Sequence, residues 1–131
     1  MSVPAIRILV VEDEVALAQL LEKYLNRLGY EVDACSASKD ALDRFEAAPR
    51  SYDLVIADLG LPDIPGDTLL TRMLEIRPDL RILICSGSPF YLSSLPETLG
   101  KQVAFLQKPF VPKMLAEAIA RLLDEDQPRE Q

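Results

Sequence analysis

Short β-branched apolar runs alternate with stretches of helical period along almost the whole chain. Ala5 to Val11 (AIRILVV) reads as a buried strand. Glu14 to Leu28 carries Leu17, Leu20, Leu21, Tyr24, Leu25 and Leu28 at helical spacing, and Gly29 supplies a stop. Tyr30 to Cys35 is a more polar strand, suited to a sheet edge. Ser38 is placed to cap a helix from Lys39 to Ala48, and Pro49 ends it. Tyr52 to Ala57 is a third strand that delivers Asp58, and the loop GLPDIPG follows. Asp67 to Arg77 is a helix stopped before Pro78. Leu80 to Cys85 and Gln102 to Gln107 are the fourth and fifth strands. Val111 to Leu123 is the last helix, with Pro112 tolerated in its first turn. Strands alternating with helices imply a doubly wound α/β domain, a parallel sheet covered on both faces. This gives one domain over residues 1–123 and a polar tail over 124–131. In such folds ligands bind outside the carboxyl ends of the strands, so function is sought just after Val11, Ala57, Cys85 and Gln107.

Composition removes several classes of function. The chain has 131 residues and a formal net charge of −7, a poor basis for nonspecific binding to nucleic acid or anionic membranes. It has no His, which excludes His-based catalytic triads and His-ligated zinc. Its two cysteines, Cys35 and Cys85, sit in strand-like runs and read as buried hydrophobes rather than a disulfide framework. No run reaches the ~18 apolar residues of a membrane span, and Met1 to Ala5 lacks the pattern of a signal peptide. The expected location is the cytoplasm.

The strand ends carry the chemistry. The first strand ends in Glu12-Asp13-Glu14, the third in Asp58, the fourth in Ser86-Gly87-Ser88 and the fifth in Lys108-Pro109. Each has an ordinary explanation alone: acids favour a helix N-terminus, Asp opens turns, Ser-Gly is a common turn pair, and lysines are common at surfaces. Their joint placement after four strands is harder to obtain by accident. Two carboxylates about 5 Å apart repel by ~3 kcal/mol at an effective dielectric of ~20, so the cluster calls for a cation. Oxygen ligands without His or Cys suit Mg²⁺, or Mn²⁺. With a metal and Lys108 neutralising the transferring group and Ser86 donating to it, Asp58 has the makings of a nucleophile toward phosphorus, giving an aspartyl phosphate. No GxGxxG or GxxxxGK[ST] follows the first strand. A haloacid-dehalogenase phosphatase would want a second Asp where Gly60 stands.

Taken together, VVEDE, Asp58 followed by Leu59-Gly60-Leu61-Pro62 and Gly66, Ser86-Gly87, and Lys108-Pro109-Phe110 resemble the receiver domain of two-component response regulators. The resemblance runs from Ile6 to about Leu123. It implies a flavodoxin-like five-stranded sheet in the order 2-1-3-4-5. It further implies that Asp58 accepts phosphate from a phosphohistidine on a sensor histidine kinase or histidine phosphotransfer protein. Asp13, Asp58 and the backbone carbonyl of Gly60 would hold Mg²⁺, with Glu12 helping through a metal-bound water. Ser86 and Phe105 would be switch residues, Lys108 would contact the phosphoryl oxygens, and the Lys108–Pro109 bond would be cis. Without that context, Phe105 reads as ordinary packing.

Two departures stand out. The stretch after Ser86, SPFYLSSLPETLGK, is interrupted by Pro96, so the helix expected there is short or irregular. Its apolar side chains either cover the sheet or make a homodimer or downstream-protein surface over residues 89–105. In addition, no recognisable output domain stands within the sequence. The expected function is a phosphoacceptor switch rather than an enzyme, one that supplies its own phosphoryl-transfer and autodephosphorylation chemistry. The alternative is a receiver-like interaction domain that works without phosphorylation.

Overall fold

The computed structural model of the protein describes residues 5–58, 60, 63–64, 66–87 and 102–124. In chain order the elements are β1 (Arg7–Val11), α1 (Val15–Arg27), β2 (Glu31–Cys35), α2 (Ser38–Ala47), β3 (Leu54–Asp58), α3 (Gly66–Ile76), β4 (Ile82–Ser86), β5 (Val103–Gln107) and α4 (Pro112–Asp124). The five strands form one parallel sheet in the order β2-β1-β3-β4-β5. The doubly wound architecture expected from the sequence and the strand order implied by the resemblance are both present. The proline-broken stretch, with its expected irregular helix and its docking surface over 89–105, lies largely outside the described residues, as does the tail beyond Asp124.

Strand periodicity sorts the core into two. Leu9, Val11, Val55, Ala57, Ile82 and Ile84 pack with α2 and α3 side chains, including Ala41, Phe45, Leu69, Leu70 and Met73. The intervening Ile8, Val10, Leu54, Ile56, Leu83 and Cys85 pack with Leu21 and Leu25 of α1 and Leu115, Ile119 and Leu122 of α4. Successive side chains of a strand point to opposite faces, so the continuous apolar runs of the central strands feed both cores. On edge strand β2, Val32 and Ala34 are only half-buried, in keeping with its more polar sequence.

Helix α1 ends at Leu28 before Gly29, whose φ of +101° is the left-handed geometry that glycine adopts without penalty. Leu17, Leu21, Tyr24 and Leu25 turn inward as their spacing requires, but Leu20 is 60% and Leu28 45% exposed. Leu20 lies about 100° round the helix from Leu21, at the edge of the buried stripe, and Leu28 follows the last helical residue.

The start of α2 corrects the sequence reading. Ser38 is not the cap but the first helical residue; the N-cap is Ala37, and no side chain at that position makes a capping bond. The Ser38 hydroxyl is fully buried and has no hydrogen-bond partner among the described residues. The free amides are taken instead by Asp63 from the β3–α3 connection: Oδ1 accepts from Ser38 N–H at 3.1 Å and Oδ2 from Lys39 N–H at 2.8 Å. A carboxylate is a stronger acceptor than a neutral hydroxyl. These bonds, that to Lys39 foremost, hold the Asp63 carboxyl below its ordinary pKa.

Another polar cluster braces the amino ends of the strands. The Tyr52 hydroxyl and the Arg7 guanidinium both donate to Asp33 Oδ2, each at 2.6 Å, and Arg7 lies over the Tyr52 ring at 5.3 Å. Arg77, just past α3, donates to the Pro49 carbonyl at 3.1 Å and to the Tyr52 carbonyl.

Candidate functional site

Four strands deliver polar side chains at their carboxyl ends. β1 runs straight into Glu12, which is only 3% exposed; its amide extends the ladder by donating to Cys35 O at 2.9 Å. Asp13 follows and is exposed. β3 ends in Asp58, in register with Cys85 of β4. β4 ends in Ser86, 3% exposed and in register with Gln107. Beyond β5 the Lys108 amide donates to Ser86 O at 2.8 Å, so the sheet's own hydrogen bonding carries Lys108 to the site. The Lys108–Pro109 peptide is cis, as the resemblance implies.

Lys108 joins two of the acids. Its Nζ donates to Glu12 Oε1 at 2.9 Å and to Asp58 Oδ2 at 3.0 Å. Burial works against the ammonium, but the hydrogen bonds and charges of Glu12 and Asp58 outweigh it and raise the Lys108 pKa above the ordinary lysine value. The lysine is therefore a fixed positive charge across the range where proteins are stable. The other carboxylate oxygens are also occupied. Glu12 Oε2 accepts from the Glu14 amide at 3.1 Å, so Glu12 serves the start of α1 as well as Lys108. Asp58 Oδ1 accepts from the Gly60 amide at 2.9 Å, and a Cβ at Gly60 would touch that same oxygen.

Glu12, Asp13 and Asp58 each offer a carboxylate oxygen, and these oxygens lie within 4.8 Å of one another. Among the described residues, Lys108 is the one ammonium bonded to this group of three carboxylates, which leaves the cluster with an excess of negative charge. That charge and the all-oxygen donor set fit a hard divalent cation.

Of the residues singled out from sequence, Glu12, Asp13, Asp58 and Lys108 come together directly, and Gly60 joins them through its amide. Ser86 stands at the same edge of the sheet, tied to Lys108 by the backbone bond above. Phe105 is half-buried and packs against the α2/α3 core. The two cysteines are free and buried, as expected. Burial pushes the Cys85 thiol up to about 12, against a smaller pull from Lys108, and the Cys35 thiol up to about 11; neither is a nucleophile at neutral pH. The sequence reading missed Asp63, because its partners stand 24 and 25 positions back along the chain.

Residues 8–120 match the family profile described as the response regulator receiver domain. The chain is 34% identical over 124 residues to the DNA-binding transcriptional regulator NtrC of Azospirillum brasilense, an alignment covering 95% of this chain and 25% of that protein. It spans about a quarter of that relative's length. It is 29% identical over 117 residues to the response regulator receiver protein CpdR of Brucella abortus, covering 89% of this chain and 96% of the other. Among solved structures it is similar to the response regulator TrrA of Thermotoga maritima in complex with Mg²⁺ and BeF, with a TM-score of 0.78 and 31% identity over 89% of this chain and 98% of that one.

Proposed function

The chain belongs to the response regulator receiver family, and on that premise we propose that Asp58 is its phosphoacceptor, charged in a Mg²⁺-dependent reaction by the phosphohistidine of a sensor kinase or phosphotransfer protein. The observation that carries this reading is the position of Lys108 Nζ, 2.9 Å from Glu12 and 3.0 Å from Asp58, beside a third carboxylate. Asp13, Asp58 and the Gly60 carbonyl are the residues that would hold Mg²⁺, with Glu12 acting through a bound water. When bound, the cation neutralises charge on the oxygens of the transferring phosphoryl group.

The chain's own residues supply the rest. A carboxylate oxygen of Asp58 forms the bond to phosphorus as the phosphorus–nitrogen bond of the donor breaks and the imidazole departs. Lys108, held charged, moves from the free carboxylate to the oxygens of the phosphoryl group. Ser86, at the carboxyl end of β4, donates its hydroxyl to a phosphoryl oxygen, and Phe105 follows it as the aromatic switch. Water later hydrolyses the aspartyl phosphate in the same site, restoring the Asp58 carboxylate and releasing inorganic phosphate, so the domain works as a self-resetting switch rather than as an enzyme. The setting proposed for this phosphoacceptor is the cytoplasm.

Incubation with phosphoramidate or acetyl phosphate and Mg²⁺ is expected to add one phosphate, seen as a mass increase, and Asp58→Asn to abolish it. Asp13→Asn is expected to weaken Mg²⁺ binding clearly in a titration. Equal labelling of the Asp58→Asn protein would overturn the assignment.

A further inference from the structure

β3 ends in Asp58; the connection from it to α3 carries Gly60 near its start and Asp63 farther on. The Asp63 carboxylate takes two amides at the N-terminus of α2, at 3.1 and 2.8 Å. Among the described residues no local side chain takes them, since the N-cap is Ala37 and the Ser38 hydroxyl is buried without a partner. The next side chain, Ile64, packs into the α2/α3 core. At the near end, Gly60 N–H is held by Asp58 Oδ1 at 2.9 Å. The two described residues Gly60 and Asp63 are thus each held by hydrogen bonds to groups of the protein itself.

We propose that Asp63 is a positioning residue for the phosphoacceptor site: by tying the β3–α3 connection to the N-terminus of α2 it sets the Gly60 carbonyl in place before a cation arrives. The proposal rests on the reading of Asp58 as a Mg²⁺-dependent phosphoacceptor. A backbone ligand must be ordered before it can coordinate, and ordering a free segment costs conformational entropy. A segment ordered in advance has already met that cost, so the cation binds more tightly. Groups that orient metal ligands commonly change metal affinity by ~10-fold or more when removed.

The test is a calorimetric Mg²⁺ titration of the full chain and three variants. Asp63→Ala is expected to weaken Mg²⁺ binding about tenfold. Asp63→Asn, which keeps an acceptor oxygen but no charge, should fall between it and wild type. Asp43→Gly, which loosens α2 at an exposed position and also removes a charge, should bind as wild type does. Phosphoramidate labelling of Asp63→Ala should return to near the wild-type rate at saturating Mg²⁺, since the loss is in binding and not in chemistry. Wild-type affinity in Asp63→Ala overturns the proposal. So does an Asp63→Asn as weak as Asp63→Ala, which would make the effect one of charge alone, or an Asp43→Gly equally weak, which would make it one of helix stability. If Asp63→Ala fails to fold, Asp63→Asn decides, and wild-type affinity in it is the overturning result. A wild-type protein that takes up no Mg²⁺ overturns the phosphoacceptor reading itself, and this proposal with it.

Discussion

Tyr52 ends in a hydroxyl donated to Asp33 at 2.6 Å, and burial followed by that bond pushes its pKa up to about 12. An unfolded tyrosine titrates near ~10. Because the folded value is the higher one, the bond's contribution is fully present below pH ~10 and is lost as pH rises toward 12. Tyr52→Phe is therefore expected to cost about 1.5 kcal/mol near neutral pH, and the gap to wild type should narrow above pH ~10. Urea unfolding of both proteins across that range checks it; a gap independent of pH would remove the bond from the account. Legibility at this scale depended on chain distance. Asp58 and Lys108 could be found because each follows an apolar run that ends on it. The tie of Tyr52 to Asp33, like that of Asp63 to Ser38 and Lys39, joins residues on different elements, and no local pattern marks it.

The strands could be placed from their apolar runs, but several begin later than those runs suggest. β3 starts at Leu54 rather than Tyr52 and β4 at Ile82 rather than Leu80. Tyr52 and Leu80 are buried, so hydrophobicity counted them, while the parallel ladder needs a partner in register and takes up pairing farther along. The start of α2 failed for a different reason. A serine at a helix start is normally an asset, and here a carboxylate from another element does the capping, leaving the Ser38 hydroxyl buried with no partner among the described residues. Ser38→Ala removes an unsatisfied buried polar group and adds helix propensity. It is expected to stabilise the protein by about 1 kcal/mol, visible as a rise in Tm of several degrees. Destabilisation would mean that the hydroxyl has a partner after all.

Across the whole molecule the polar site edge was easier to foresee than the packing behind it. A doubly wound sheet collects whatever follows its strands at one edge, so an ordered set of acids, serine and lysine at four strand ends implied convergence before any distance was known. The sorting of side chains into two cores needed the register. Ile84 belongs to the α2/α3 core and Ile119 to the α1/α4 core, and among the described residues the two cores share no side chain. Ile84→Val and Ile119→Val are each expected to cost about 1 kcal/mol. Without shared partners, the double variant should match their sum within ~0.5 kcal/mol; a larger discrepancy in denaturant unfolding would show the cores to be coupled.

The consequence is one of tolerance to sequence drift. The sheet stands between the two cores like a bulkhead, so a change of volume on the α1/α4 side is expected to be taken up there before it reaches the wall against which Phe45 and Ile64 are packed. That wall stands behind the Asp63 tie, while Val15, Leu20, Val111 and Met114 lie exposed in or beside α1 and α4. Away from the helix starts that adjoin Glu12 and Lys108, the α1/α4 flank is therefore expected to accept more sequence change than the wall behind Asp63.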